Sequence, residues 1–426
     1  MAYKGKTYFF CGVGGSGMSS LAKVVLSRSV IVYGSDRNFD KNRFSDHFQK
    51  LSDAGVRLCP QDGTCITTDI DFLVVSSAVE QSIPDVKAAQ YLNIPIIKRA
   101  ELLAEICNDA NSICVGGTNG KSTVTGMIGW MLNQGGLNPT VINGGGMLNF
   151  DRDNAVIGDP NRIVVETDES DGTITNFHAG IAVLTNISED HKGLDELMDI
   201  FRQFLSQSKM QVLNIDCPNV AKLATEFPDA VTYSNTGDVD LIVPGKHNQS
   251  NAQAALAVGR LCHLDGAKSL NEFKGITSRL EVVGVKNNIT VIDDFGHNPD
   301  KIEAGLKTLK ENGKRLILMY QPHGFKPTRD HKHELIDVFA KYLTKDDILY
   351  MPDILYFGGT VEQDISSADI TNPLQDKGVN ANYVPEKMYI QDKILKIVKP
   401  NDIVCIMGAR DDSLRQMALD IFESID

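Results

Sequence analysis

Cys114-Val115-Gly116-Gly117-Thr118-Asn119-Gly120-Lys121-Ser122 stands between a short apolar run, Ser112-Ile113-Cys114-Val115, and an amphipathic run at residues 124–132. Strand, glycine turn, Lys-Ser-Thr and helix are, in that order, the parts of a phosphate-binding loop. Glycines let backbone N–H groups turn inward around phosphate oxygens, and the helix N-terminus adds the positive end of its dipole. Gly117, Thr118, Asn119 and Gly120 would form the cradle. Lys121 would reach the β- and γ-phosphates, and the Ser122 hydroxyl, ahead of Thr123, would hold Mg2+. The spacing is compact. The G-x-x-x-x-G-K-[ST] pattern wants glycine where Val115 stands, so the motif reads G-[TS]-x-G-K-[ST]. A site for ATP is expected; a glycine turn ahead of a surface lysine is the plain alternative.

Toward the N-terminus, an apolar strand pattern at residues 7–11 enters Gly12-Val13-Gly14-Gly15-Ser16-Gly17-Met18, a G-x-G-x-x-G turn followed by a helical run at 19–26. A second strand, 30–33, ends at Gly34-Ser35-Asp36. An acid about twenty positions beyond the glycines suits a ribose hydroxyl. Apolar runs at 70–75 and 94–97 lead into Ser76-Ser77-Ala78 and Arg99-Ala100-Glu101. This region reads as a small Rossmann-like domain binding a phosphate or nucleotide sugar, or else as a tight packing turn without a ligand.

Toward the C-terminus, Gly144-Gly145-Gly146 marks a loop, and a β-rich run at 161–165 leads into Glu166-Thr167-Asp168-Glu169-Ser170-Asp171. Acids at a strand's C-terminal end sit where α/β sheets place their ligands, and some suit Mg2+. A solvated acidic loop fits the same residues. The strand 181–184 ends in Thr185-Asn186-Ile187-Ser188-Glu189-Asp190-His191, where histidine is either a metal ligand or an exposed cap. Pro244 to Asn251 precedes an alanine-rich helix at 252–258. Asn248 and Asn251 share one helix face and suit an adenine edge, with a merely capping helix start as the equal alternative.

The last part opens with a strand at 289–292 and Asp293-Asp294-Phe295-Gly296-His297-Asn298-Pro299, and continues with strands at 316–320, 348–350 and 403–406. Alternating β and α predicts another open, mostly parallel sheet. Two strand ends deliver Gln321-Pro322-His323-Gly324-Phe325-Lys326-Pro327-Thr328-Arg329-Asp330 and Met407-Gly408-Ala409-Arg410-Asp411-Asp412. These polar segments face a ligand or are simply solvated loops.

At 426 residues the chain exceeds one ordinary core, so two or three domains are expected. A net charge of −13 argues against nucleic acid as the main partner. The eight cysteines form no C-x-x-C pair, so neither a zinc site nor a disulfide framework is suggested. With no signal-peptide pattern and no apolar run of membrane-spanning length, a cytoplasmic protein without a membrane partner is expected.

Taken together and in this order, the motifs resemble the Mur ligase family, ATP-dependent amino-acid ligases of peptidoglycan precursor synthesis. The resemblance covers almost the whole chain. It implies an α/β protein of three domains: an N-terminal Rossmann-like UDP-sugar domain at 1–106, a central P-loop ATPase-like domain at 107–282 and a C-terminal Rossmann-like amino-acid-binding domain at 283–426. Within the family, the acidic run Glu166–Gly172 is most similar to that of the branch joining L-alanine to UDP-N-acetylmuramate. By this resemblance Lys121, Glu166 and His191 carry the catalysis, and Ser122, Glu166 and His191 arrange Mg2+. Asn248 and Asn251 contact adenine, and Arg279 reaches the ATP phosphates, with Asp294 and His297 in the same nucleotide set. Gly14, Gly15, Ser16, Gly17, Met18, Asp36, Ser76, Ser77 and Arg99 belong to the UDP-sugar site. His323, Lys326, Arg329 and Arg410 lie on the side of the amino-acid acceptor. The implied reaction makes an acyl phosphate from the sugar acid and ATP, and an amine then displaces phosphate.

Three departures from the pattern bear on the acceptor and the middle of the chain. Gly324 and Pro327 stand where that branch carries two arginines, with Lys326 and Arg329 as nearby substitutes. Arg410-Asp411-Asp412 replaces a small uncharged residue and a single acid. The stretch between Asp216 and Pro244 is short. A ligase with a different acceptor or UDP-sugar acid is therefore an alternative. Two further alternatives are a non-catalytic nucleotide-sugar binder and a nicotinamide dehydrogenase, the latter leaving Lys121 without a task.

Overall fold

The computed structural model describes residues 5–28, 30–76, 79–169, 172–188, 193–311, 313–356, 361–409, 411 and 413–425. Its strands form three sheets, each with helices between successive parallel strands. The strands are near-continuous apolar runs such as Phe9-Phe10-Cys11 and Ile113-Cys114-Val115, all fully or almost fully buried. That composition is what a parallel sheet covered on both faces requires.

The first sheet contains β1 (Thr7–Cys11), β2 (Ile31–Ser35), β3 (Arg57–Cys59), β4 (Phe72–Val75) and β5 (Ile96–Lys98), in the order β3-β2-β1-β4-β5 and parallel throughout. The chain moves outward from β1 to β3 and then crosses to β4. The strand order thus reverses beside the C-terminal end of β1, the position at which open α/β sheets leave a ligand crevice.

The second sheet runs β12-β11-β10-β6-β9-β7-β8. Its strands are β6 (Asn111–Gly116), β7 (Pro139–Ile142), β8 (Ala155–Val156), β9 (Asp159–Glu166), β10 (Ile181–Leu184), β11 (Met210–Asn214) and β12 (Val231–Tyr233). Only the short β7–β8 pair is antiparallel. Strand β6 lies at the middle, with Val115 beside Glu166 of β9 and Gly116 beside Leu184 of β10. The helix Lys121–Gln134 follows β6 and buries Val124, Met127, Ile128, Met131 and Leu132. Gly135 and Gly136, the latter at φ +77°, end it. The first and second sheets share one apolar cluster, in which Leu102, Leu103 and Ile106 join Cys114, Leu184, Phe201 and Phe204.

The third sheet runs β13-β14-β18-β15-β16-β17. It is built from β13 (Glu281–Lys286), β14 (Ile289–Asp294), β15 (Leu316–Gln321), β16 (Ile348–Met351), β17 (Ala381–Tyr383) and β18 (Ile403–Gly408). Here β13 pairs antiparallel with β14 in a hairpin absent from the sequence reading, and the last strand inserts between β14 and β15. The chain divides into two compact units, Met1–Ile242 with His247–Ile276, and Val243–Lys246 with Thr277–Asp426. Among the described residues no helix is long and apolar enough to cross a membrane.

Candidate active site

The loop after β6 is held by the segment after β10. Thr118 N–H donates to Asn186 O (3.0 Å), Asn119 N–H to the Asn186 side-chain oxygen (2.9 Å), and Asn186 Nδ2 to Asn119 O (2.9 Å). Thr185 Oγ1 adds a bond to Asn119 O at 2.7 Å. Two positions require glycine. At Gly117 φ is +128° and a Cβ would lie 2.1 Å from Thr185 Oγ1; at Gly120 φ is +82° and a Cβ would lie 2.7 Å from Asn251 Oδ1. Because Asn186 takes the Thr118 and Asn119 N–H groups, the donors left toward an anion are those of the helix start, including Lys121, Ser122 and Thr123.

Lys121 Nζ donates to Gly117 O (2.6 Å), Thr118 O (3.3 Å) and both oxygens of Glu169 (3.1 and 3.0 Å). Burial raises the Glu169 pKa, against the attraction of Lys121. The result is a half-buried ammonium aimed by the loop's own carbonyls. Glu169 was visible in the sequence as one of four neighbouring acids, but nothing there singled it out as the partner of the lysine.

Glu166 closes β9 one strand away, and its Oε2 accepts from Gly144 N at 2.7 Å. The preceding residue, Asn143, is buried and donates from Nδ2 to Ser122 O at 3.0 Å. Asn143 escaped the sequence reading because its signal was lost beside three glycines. Ser122 and Glu166 offer a hydroxyl and a carboxylate, hard oxygen donors that fit Mg2+. Among the described residues, no group of three or more His, Cys, Asp and Glu gathers as a metal site. His191 lies outside the described residues, as do Ser77 and Arg410. The chain leading toward His191 is nevertheless tied to the loop, with Ser188 N donating to Thr118 Oγ1 at 3.0 Å.

Asn248 and Asn251 are both buried, and Asn251 Nδ2 donates to Asn248 Oδ1 at 3.1 Å. The helix carrying them starts at Lys246, earlier than the alanine-rich run suggests, so both belong to its first turns. Asn251 also packs against Gly120 and is thereby brought to the phosphate loop.

At the first sheet, Gly14, Gly15, Ser16 and Gly17 form the turn into the helix Ser16–Leu26. A Cβ on Gly17 would lie 3.3 Å from Arg99 Cδ and 3.4 Å from its Cζ, so the guanidinium lies over the helix start. Ser76, at the end of β4, is half-buried. Two of these residues turn inward. Asp36 does not stand out toward a ribose: it is buried, accepts from Gly14 N (3.0 Å) and Asn38 N (2.8 Å), and caps the next helix. The Met18 side chain is buried in the core, which leaves its backbone N–H to the site.

In the second unit, Arg279 sits on a bend whose neighbours Ser278 and Leu280 both have left-handed backbones, at φ +51° and +47°. Asp294 holds that bend, accepting from Leu280 N (2.8 Å) and Gly296 N (2.9 Å), while Ser278 Oγ donates to Asp293 at 2.7 Å. Asp294 is buried, and burial raises its pKa to about 6. Both of its carboxylate oxygens are thus taken by backbone N–H groups of the bend that carries Arg279 and of Gly296. The Arg279 Cζ lies 5.5 Å from the Phe295 ring centre, Phe295 is edge-on to His297 at 5.1 Å, and His297 meets His323 at 5.6 Å. Burial lowers the His297 pKa to about 4. The neutral ring donates from Nδ1 to Phe295 O (2.9 Å), leaving Nε2 as an acceptor.

In the segment expected on the acceptor side, Gly324 (φ +72°) starts the helix Phe325–Asp330 where the sequence suggested a loop. Lys326 is paired with Asp330, and Arg329 with Asp364 and with Glu362 O. Both substitutes for the missing arginines thus have partners within the chain.

The family models for the Mur ligase catalytic domain, middle domain and glutamate ligase domain match residues 7–111, 115–241 and 278–410. The chain belongs to the Mur ligase family. A UDP-N-acetylmuramate–L-alanine ligase of Thermosynechococcus vestitus is 31% identical over 96% of this chain and 94% of its own length. One from Mesorhizobium japonicum is 33% identical over 94% of each. The crystal structure of the UDP-N-acetylmuramate–alanine ligase of Thermotoga maritima shares the fold, with a TM-score of 0.75 over 98% of each chain at 23% identity. This Mur ligase is an ATP-dependent enzyme of peptidoglycan precursor synthesis.

Proposed function

We propose that this Mur ligase joins L-alanine to the carboxylate of UDP-N-acetylmuramate. The observation that carries the nucleotide half is Lys121, aimed by Gly117 O and Thr118 O and paired with Glu169. The substrate assignment is supported by the names of the two curated relatives. In the reaction a carboxylate oxygen of the sugar acid bonds to the γ-phosphorus as ADP leaves. The amine nitrogen then bonds to the acyl carbon, phosphate leaves, and the nitrogen loses a proton.

Lys121 offsets the repulsion between carboxylate and polyphosphate, and the helix-start N–H groups hold phosphate oxygens. Ser122 and Glu166, with His191, would hold Mg2+, which supplies further positive charge at the phosphates. Asn248 and Asn251 bind the adenine. Gly15, Ser16, Gly17 and Arg99 take the UDP diphosphate. Domains at 1–106, 107–282 and 283–426 and a cytoplasmic setting, where ATP is supplied, belong to the same proposal. Sugar acid labelled with 18O in its carboxylate should pass one label into the released phosphate; unlabelled phosphate would rule out the acyl phosphate.

A second reading keeps this chemistry and changes the acceptor. It is favoured by Gly324 and Pro327 and by the internal pairing of Lys326 and Arg329. Screening amino acids and short peptides for a mass-shifted UDP product separates the two readings, since only the first makes L-alanine the best amine.

A further inference from the structure

Ser122 O, at the ATP loop, and Ser16 O, at the glycine loop of the first sheet, are connected by three hydrogen bonds that pass through two asparagines. Asn143 Nδ2 donates to Ser122 O (3.0 Å), Asn143 N to Asn154 O (2.8 Å), and Asn154 Nδ2 to Ser16 O (3.2 Å). The segment between the asparagines is braced elsewhere. Asn149 Nδ2 donates to Glu272 O (2.9 Å), Leu148 N to Gly275 O (3.1 Å), and Phe150 lies edge-on to Trp130 at 5.6 Å. Gly144, next to Asn143, holds Glu166. A segment so fixed has little freedom to let the two loops drift apart.

We propose that Asn143 and Asn154 are positioning residues that lock the ATP loop and the glycine loop in one mutual register. The inference rests on the reading of these loops as the ATP and UDP-sugar sites. The reaction needs the sugar carboxylate in line with the γ-phosphate, and a displacement of about 1 Å between reacting groups costs about 10²-fold in rate. Two ligands held by separate loops meet that tolerance only if the loops themselves are tied. A tie of this kind also makes binding at one loop favour binding at the other, with a reciprocal coupling factor.

The test is calorimetry of a non-hydrolysable ATP analogue with Mg2+, with and without UDP-N-acetylmuramate, on wild type and on Asn154→Ala. Wild type should bind the analogue about 5-fold or more tightly when the sugar nucleotide is present. Asn154→Ala should bind each ligand alone as wild type does, lose the enhancement, raise each KM measured at saturating partner only by the lost coupling factor, and lose kcat beyond that. Asn143→Ala cuts the same chain at its other end, so the double variant should lose no more coupling than either single variant. If Asn154→Ala does not fold, Asn154→Asp, equal in size but lacking the donor, carries the same expectation. Coupling that is absent in wild type, or unchanged in the variants while wild type still makes the amide, overturns the tie. A wild type that makes no amide overturns the underlying reading instead.

Discussion

Lys121 and Glu169 form a charge pair, with Lys121 at the start of the helix that follows β6 and Glu169 in the segment after β9. Their side chains are 15% and 8% exposed, so the pair works in a medium where charge is weakly screened. Lys121→Ala should lower kcat by at least about 10²-fold, the usual cost of removing one preorganised charge-stabilising donor. UDP-sugar affinity measured by calorimetry should stay near wild type, because that ligand is assigned to the first sheet. The same substitution should raise the Glu169 pKa further, since Lys121 is what opposes the burial effect; carboxyl titration by NMR would detect it. Loss of both activities together would mean that the two loops do not serve separate ligands.

The elements themselves were largely legible. Gly-x-Gly and Gly-Lys-Ser turns between apolar runs specify strand, loop and helix locally, and β1, β6 and β10 lie where the runs lie. Strand β13 escaped because Gly284 and a register shift between Val282 and Gly284 interrupt its alternation, and β8 because two residues are too few to show a period. Site residues divide in the same way. Lys121 announces itself through its neighbours, whereas Asn143, Asn186 and Glu169 acquire roles only when other strands bring them to the loop. Nor can sequence position show which way a strand-end carboxylate turns, and Asp36 and Asp294 both turn to backbone N–H groups.

Two further expectations belong to the elements of the third sheet. Asp347 is fully buried and accepts from Lys310 Nζ (2.7 and 2.8 Å), Leu316 N (2.7 Å) and Thr344 N (2.8 Å), joining β15 to the helix Pro299–Lys310. Asp347→Ala should destabilise this unit by about 3–5 kcal/mol in urea melts, because Lys310 loses its counter-charge, keeping only Lys314 O, and two backbone donors lose their acceptor. His297 and Asp294 titrate in opposite senses. The folded His297 pKa, about 4, lies below the ordinary 6.5, so the unfolded chain binds the extra proton and stability is lost as pH falls through that window. The folded Asp294 pKa, about 6, lies above 3.8, so its contribution is lost as pH rises through the same range. Substituting His297→Gln removes only the first effect. Relative to wild type, the variant should gain about 2–3 kcal/mol between pH 7 and pH 4 in paired denaturant melts. A constant difference across that range would contradict a buried neutral His297.

Across the whole molecule, three sheets put their loops to use at the C-terminal ends of parallel strands. The first two share an apolar core, and Asn143 and Asn154 connect their ligand loops. The third sheet carries Arg279 on a strained bend and pairs Lys326 and Arg329 internally, which leaves the acceptor as the part of the reaction most open to retuning. The most direct measurement is therefore phosphate release from ATP with Mg2+ and UDP-N-acetylmuramate, with L-alanine added or withheld. Release should require all three substrates and match the amide formed one for one. Release that ignores L-alanine, or that occurs only with another amine, would contradict the assignment of this chain as an L-alanine ligase.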